Sequence, residues 1–272
     1  MSNIAFIGAG NMNSSIINGL IKQGFAEKSL MVSNPSLEKR QALADRLGIL
    51  HTNDNSVAAN FAEFIVLGVK PHLISQVCQD LQQQVDLTGK CIISIAAGCT
   101  IAQMQSALGN DCSIIRTMPN TPSQLGLGMT GMFAAPNVTA EQAKKAEQLM
   151  AAAGEVVWLT QETQIDHITC ISGSGPAYFF LFMEAMEQQA QTLGFSKEIS
   201  RKLVQQTALG ADSMVVENKQ VEISELRANV TSKGGTTQAA LNHFNAGDLS
   251  SLVAQAMNAA LIRAQEIAQQ NT

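Results

Sequence analysis

Short apolar runs separated by longer stretches of helical periodicity set the rhythm of the first part of the chain. "NIAFIG" predicts a strand, "NSSIINGLIKQGF" a helix closed by Gly24, "SLMVSN" a second strand and "SLEKRQALADRLG" a second helix. "EFIVLGV", "CIISIAA" and "SIIRTMP" are continuous apolar runs of the kind buried on both faces of a parallel sheet. "GMTGMFAAP" and "EVVWLT" predict edge strands around the helix "TAEQAKKAEQLMAAAG". Strands alternating with helices in this way specify an α/β fold with a doubly wound, Rossmann-type sheet.

Beyond about Thr160 the strands stop. Ser174 is placed as the N-cap of a long helix with Pro176 in its first turn and a C-terminal cap at Gly194. Helical patterns follow from Lys197 to Glu217, Glu222 to Val230, Thr236 to Phe244, and Leu249 to the end of the chain. The chain thus divides into residues 1–158, a Rossmann domain, and residues 159–272, an all-α domain. Phe179, Phe180, Leu181, Phe182 and Met186 cannot all face one monomeric core. A helix apolar nearly all round must be buried nearly all round, either centrally in a bundle or between the subunits of a homodimer.

A formal charge of -5 gives nucleic acid little to hold, and an aromatic content of 4% offers few bases a stacking surface. The five cysteines are odd in number and never spaced as CxxC, which predicts reduced, buried thiols and neither a disulfide frame nor a metal site. "MSNIAFIGAGNM" lacks a basic region followed by an apolar signal core, and no apolar run reaches membrane-spanning length. A cytoplasmic location without a membrane partner is expected.

Chemistry enters with "FIGAGNMNSSI", where Gly8 and Gly10 fall between a strand and a helix. Gly8 permits a tight turn, and Gly10 lets the backbone approach a pyrophosphate at the helix N-terminus. The third fingerprint position is Asn13 instead of a small residue, which loosens the match. At the end of the second strand, where an acid would bind the ribose 2′-hydroxyl of NAD, stand Ser33 and Asn34, with Lys39 and Arg40 nearby. Hydroxyl, amide and cation accept a 2′-phosphate that a carboxylate would repel, so NADP(H) is favoured over NAD(H). Lys39 and Arg40 are equally readable as solvated charges on the next helix. Lys70 ends another strand, as a general acid or as a neighbour of the cofactor, and Pro71 marks a helix start. Ala96 and Ala97 are small enough to admit a flat ring.

"NVTSKGGTTQAALNHF", Asn229 to Phe244, breaks the helical half with Gly234 and Gly235 among hydroxyls. A helix starting near Thr236 would aim free N–H groups and its positive dipole end at this loop, a good seat for a carboxylate or phosphate. The alternative is a plain helix corner with Thr capping.

"GxGNM" at the start, "MPNTP" at Met118 to Pro122, and "SGSGPAY" with "VTSKGGTT" in the helical half together resemble the pyrroline-5-carboxylate reductases. That family makes proline by reducing a cyclic imine with NAD(P)H. The similarity runs over essentially the whole chain, and the last motif is the most specific. The resemblance implies a Rossmann domain followed by a helical domain that dimerises by interleaving, often assembling further into a ring of dimers. It assigns Gly8, Gly10, Asn11 and Met12 to the pyrophosphate, Ser33 to the 2′-phosphate and Asn55 to the adenosine side. Val69, Lys70 and Pro71 would line the cofactor, with Ala96, Ala97 and Asn229 near the nicotinamide. Ser232, Gly234, Gly235, Thr236 and Thr237 would form the substrate-carboxylate loop, with Thr237 near the ring nitrogen as the catalytic candidate. Lys233 replaces the family's usual proline, which either loosens the loop or adds a cation beside the carboxylate.

Reducing a C=N bond requires a hydride on carbon and a proton on nitrogen. An iminium already carries that proton, so a site of N–H groups and hydroxyls, without a His or Glu catalyst, suffices by positioning. Two rivals stand beside this reading. A β-hydroxyacid dehydrogenase would need a Lys on a helix of the second domain, and none occurs between Pro176 and Lys197. A dinucleotide sensor without turnover would have no need of a second anionic pocket.

Overall fold

The computed structural model describes residues 2–270. Eight strands form one sheet: β1 (Ile4–Ile7), β2 (Leu30–Ser33), β3 (Leu50–Thr52), β4 (Phe64–Leu67), β5 (Cys91–Ser94), β6 (Ser113–Met118), β7 (Gly128–Ala134) and β8 (Gly154–Trp158). Their order is β3-β2-β1-β4-β5-β6-β7-β8, parallel throughout except for the β6–β7 pair. The order reverses between β1 and β4, which opens a crevice at their carboxyl ends. β1, β4 and β5 are buried along their whole length, the burial that their unbroken apolar runs predict.

Two differences from the predicted sheet have simple causes. β3 went unpredicted because "LHT" carries one exposed His and too little apolar signal for a strand; its pairing with β2 defines it. "GMTGMFAAP" forms β7, which is an interior strand because β8 takes the edge.

The helices are α1 (Asn11–Lys22), α2 (Leu37–Leu47), α3 (Asn55–Phe61), α4 (Ile74–Gln84), α5 (Ile101–Leu108) and α6 (Ala140–Ala151), then α7 (Gln164–Ile168) and α8 (Gly175–Thr192). They continue with α9 (Lys197–Glu217), α10 (Ile223–Asn229), α11 (Thr236–Ala246) and α12 (Leu249–Gln270); the predicted continuation of α12 over residues 271 and 272 lies outside the described residues. Side chains start several of them: Ser36 caps α2, Asp54 caps α3, and Thr100 and Thr139 form capping boxes with Gln103 and Gln142. Cores on the two faces of the sheet gather around Phe6, Ile16 and Leu20 on one side and Ile65, Ile74 and Leu81 on the other.

The chain folds as two compact units, one holding everything up to Pro176 together with the stretch from Ala259 onward, the other Ala177–Asn258. In the first unit, Ser174 is not an N-cap. Its backbone is helical, and its N–H donates to Thr169 O at 2.8 Å across a π-helical segment, Thr169–Gly173, that joins α7 to α8. The cause is Pro176, which has no N–H for the carbonyl of Ser172 and whose ring would crowd it. The helix widens by a residue instead of ending. The orphaned Ser172 O accepts Asn120 Nδ2 at 2.9 Å, while Asn120 Oδ1 accepts the Met129 N–H at 2.8 Å. Asn120, the asparagine of "MPNTP", therefore clamps the π segment to β7. Asn120→Leu leaves a part-buried carbonyl and amide without their partner, and is expected to cost about 1–3 kcal/mol in urea unfolding. A loss below about 0.5 kcal/mol, the scatter of neutral surface substitutions, would refute the clamp.

The second unit is helical. The Phe182 and Phe244 rings, tilted by 42° with centroids 6.0 Å apart, line an apolar groove of about 440 Å³ together with Met186, Leu193, Leu203 and Val204 among others. Phe179 and Leu181 on α8 are 72% and 68% exposed, so this chain alone does not bury the helix that the sequence requires to be buried. No helix among the described residues is long and apolar enough to cross a membrane.

Candidate cofactor edge and substrate loop

At the carboxyl edge of the sheet, Gly8 follows β1 with φ 103°, a left-handed value that favours glycine. A Cβ there would lie 2.6 Å from the carbonyl oxygen of Gly68, so the turn and the end of β4 exclude any larger residue. α1 then begins at Gly10, φ -80° and ψ 171°, with no side-chain cap. Its first amides, those of Asn11 and Met12, have no intrahelical acceptor and could seat an anion.

Asn13, the departure from the glycine fingerprint, is accommodated. It is buried, and its Nδ2 donates to Gly8 O at 2.7 Å and Ile7 O at 3.2 Å, so the side chain itself ties the turn to α1. The space it needs comes from Gly68, where a Cβ would lie 2.3 Å from the Asn13 amide. A small residue has moved from the helix to the neighbouring strand end.

The ribose side is more tightly built than the sequence conveys. Ser33 is fully buried, its Oγ donates to Asn55 Oδ1 at 2.7 Å, and its carbonyl accepts the Gly8 N–H at 2.7 Å. Asn34 Oδ1 accepts the Ala9 N–H at 3.3 Å. Arg40 donates to the carbonyls of Asn34 and Pro35, both at 3.0 Å, while its buried Nε has no partner among the described residues. Arg40 is thus a cation anchored by backbone carbonyls, whereas Lys39 is an exposed helix residue. An anchored guanidinium and no carboxylate at this strand end fit a 2′-phosphate.

Val69 packs on the core, Lys70 is exposed, and Pro71 opens a short 3-10 turn, Pro71–Leu73, that leads into α4. The Ala96 N–H donates to the buried Ser94 Oγ at 3.3 Å, holding the Ala96–Ala97 stretch beyond β5. Gly8, Gly10, Asn11, Met12, Ser33, Asn34, Asn55, Val69, Lys70, Pro71, Ala96 and Ala97 therefore all lie at the carboxyl ends of β1, β2, β3, β4 and β5, or on the helices that start there.

Asn229, Ser232, Gly234, Gly235, Thr236 and Thr237 lie together in the second unit, at the corner between α10 and α11. α11 begins at Gly235 with φ -81° and ψ 172° and no side-chain cap, the same helix start that Gly10 gives α1. The glycine pair does not end the preceding helix: α10 finishes at Asn229 with Val230 as its C-cap. Nor are the glycine amides free, because Gly235 N–H donates to Ser232 O at 3.0 Å and Gly234 N–H to Gln238 Oε1 at 2.7 Å. The glycines shape the turn, and the open donors are the first amides of α11 with the exposed hydroxyls of Ser232, Thr236 and Thr237.

Two side chains that matter here left little trace in the sequence. Gln238 had no signal beyond its place one residue after the Thr pair. Arg116 sat unremarked in "SIIRTMP", yet its buried guanidinium binds Glu162 and Asp166 at 3.1 Å each. Glu162 also accepts the Ile101 N–H at 2.7 Å, so the group joins β6, the start of α5 and α7. The five cysteines are buried thiols outside any disulfide, and burial pushes the Cys78 and Cys91 thiols up to about 12, which keeps them protonated and inert.

A glycine-started helix at the switch point of a parallel sheet, with a phosphate-matched ribose edge, defines a Rossmann-type, dinucleotide-dependent oxidoreductase. Family models agree: residues 3–98 match "NADP oxidoreductase coenzyme F420-dependent" and residues 162–267 match "Pyrroline-5-carboxylate reductase dimerisation". The chain is 50% identical over 264 residues to the pyrroline-5-carboxylate reductase of Vibrio alginolyticus, covering 97% of each. The structure of a Coxiella burnetii pyrroline-5-carboxylate reductase superimposes with a TM-score of 0.93 at 42% identity, covering 98% of each chain. That of the Plasmodium falciparum enzyme, with NADP bound, gives 0.87 at 27% identity and 98% of each. The chain belongs to the pyrroline-5-carboxylate reductase family.

Proposed function

We infer that the chain performs the reaction for which its family is named, the NADPH-dependent reduction of L-1-pyrroline-5-carboxylate to L-proline, the last step of proline biosynthesis. It is an oxidoreductase of the CH–NH class, with NADP(H) as the preferred cofactor and NAD(H) as a weaker alternative. The observation that carries the reading is the pair of matching glycine-started helices, one in each unit, each able to seat an anion. One suits a pyrophosphate and the other a substrate carboxylate. Family membership removes the β-hydroxyacid dehydrogenase and sensor alternatives.

NADPH supplies the hydride. The residues of the chain bind and orient. The α1 N-terminus with Gly8 and Gly10 holds the pyrophosphate, Ser33, Asn34, Asn55 and Arg40 surround the 2′-phosphate, and Ala96 and Ala97 leave room for the nicotinamide. Val69, Lys70 and Pro71 line the cofactor, with Asn229 near its nicotinamide end. Ser232, Thr236 and the first amides of α11 receive the carboxylate, while Gly234 and Gly235 set the turn. Thr237 hydrogen-bonds the ring nitrogen, which arrives protonated as the iminium, so no separate acid is required.

NADPH oxidation on addition of pyrroline-5-carboxylate tests the reading, and no turnover with purified protein would refute it. Ser33→Asp checks the cofactor edge. A carboxylate at this buried position repels the 2′-phosphate, so the kcat/KM ratio of NADPH to NADH should fall by about 1–3 kcal/mol. An unchanged ratio would remove Ser33 from the 2′-phosphate site.

The protein acts as a homodimer in a cytoplasmic, reducing compartment, without nucleic-acid or membrane partners. Further assembly into a ring of dimers follows from the family resemblance. The support for the dimer is the exposed apolar surface of α8 and the match to a dimerisation family model. Light scattering should find no active monomer at low micromolar concentration; a folded, active monomer would refute the dimer.

A further inference from the structure

We propose that Gln238 is a positioning residue for substrate: its side chain, bonded to the Gly234 amide, holds the Ser232–Gly235 turn in the shape that exposes the N-terminus of α11. The proposal rests on the reading of this loop as the carboxylate site.

The bond from Gly235 N–H to Ser232 O closes a β-turn with Lys233 and Gly234 at its centre. Gly234 has φ 73°, and Lys233 is not among the residues of positive φ. That combination is the pattern of a type II turn, with glycine where the left-handed residue is required. In such a turn the amide of the third residue points away from the turn's own hydrogen bond and is left to water or to another acceptor. Gln238 Oε1 supplies it at 2.7 Å, reaching back from the first turn of α11. Contact from the other side is equally close, because a Cβ on Gly235 would lie 2.4 Å from Ser232 Oγ.

The first central position of a type II turn favours proline, which fixes φ before the turn forms. Lys233 stands there, so the chain keeps rotational freedom that proline would remove. Gln238 restores the constraint from outside the turn. Without it, ordering the loop becomes a cost of binding the imine, while cofactor binding and the hydride step are untouched.

Gln238→Leu should raise the KM of pyrroline-5-carboxylate by about three- to tenfold, the effect of one lost hydrogen bond, with kcat and the KM of NADPH changed by less than about twofold. Gly234 amide hydrogen exchange should accelerate. In the Gln238→Leu background, Lys233→Pro should return the imine KM toward wild type, whereas Lys233→Ala, which removes the same cation, should not. Gln238→Ser, run in parallel, keeps the outcome from hanging on the fit of one side chain. An unchanged imine KM in both Gln238 variants, or equal behaviour of Lys233→Pro and Lys233→Ala, overturns the proposal. Thr237→Val in the same assay separates the two levels. If it lowers turnover of the imine while the Gln238 variants do not, the loop binds substrate and only the role of Gln238 fails. If none of them changes the imine's constants, the substrate-loop reading fails as well.

Discussion

Thr237→Val should lower kcat/KM for pyrroline-5-carboxylate by about tenfold to a hundredfold, the loss of one hydrogen bond to a charged group, roughly 1.5–3 kcal/mol. The substitution keeps the β-branched shape, and Thr237 is exposed at the start of α11, so the fold and NADPH affinity should survive. Thr237→Ser keeps the hydroxyl and should retain most activity. Gly235→Ala should act on the same constant by a different route. Gly235 adopts an ordinary extended backbone, so the cost is not one of left-handed strain. It comes from the new Cβ, 2.4 Å from the exposed Ser232 Oγ, which must rotate away, and 3.1 Å from Ser232 O, where the backbone of the turn must give by a few tenths of an ångström. Kinetic constants for imine and cofactor in the three variants decide the matter. Wild-type kcat/KM for the imine in both Thr237→Val and Gly235→Ala would reduce the loop to a helix corner.

Arg116→Ala is expected to destabilise the fold by about 3 kcal/mol, because it leaves two neighbouring carboxylates without their cation. The guanidinium is 3% exposed, whereas the side chains of Glu162 and Asp166 keep 27% and 16% of their exposure. Water therefore relieves part of the penalty, and the lower end of the range for broken buried pairs applies. Glu162 also holds the Ile101 amide, so the loss should spread to the start of α5. Arg116→Lys keeps a charge but cannot bond both carboxylates through a planar fork, and should fall between the two. Urea unfolding monitored by far-UV circular dichroism measures the difference. A change below about 1 kcal/mol would show that the group is a solvated pair with little effect, as surface ion pairs are.

Much of the cofactor edge was legible because it is local. Gly8 and Gly10 announce a strand, a tight turn and a helix within a few positions, and the missing acid after β2 bears on the choice of cofactor without any tertiary information. The exposed apolar surface of α8 was equally predictable from its sequence, since no single core can cover every side of such a helix. Ser174 shows the limit of local reading. A serine two residues before a proline has the signature of a helix start, yet the helix runs through as a π turn whose orphaned carbonyl, Ser172 O, is paired by the distant Asn120.

What the sequence alone determined is the alternation of strand and helix, the two glycine-started helices, and a family resemblance that the comparisons bear out. These depend on backbone preferences and periodicity, which are written in neighbouring residues. What only the tertiary structure decided is how buried polar groups are accommodated. Asn13 fits because Gly68 makes room, Arg40 is anchored by carbonyls of the preceding turn, and Arg116 is neutralised by Glu162 and Asp166. The physical reason is the same in each case. Burying a polar atom is costly unless it is paired, and packing in three dimensions decides which partner it meets, whether near in sequence, as for Asn13 and Arg40, or far, as for Arg116.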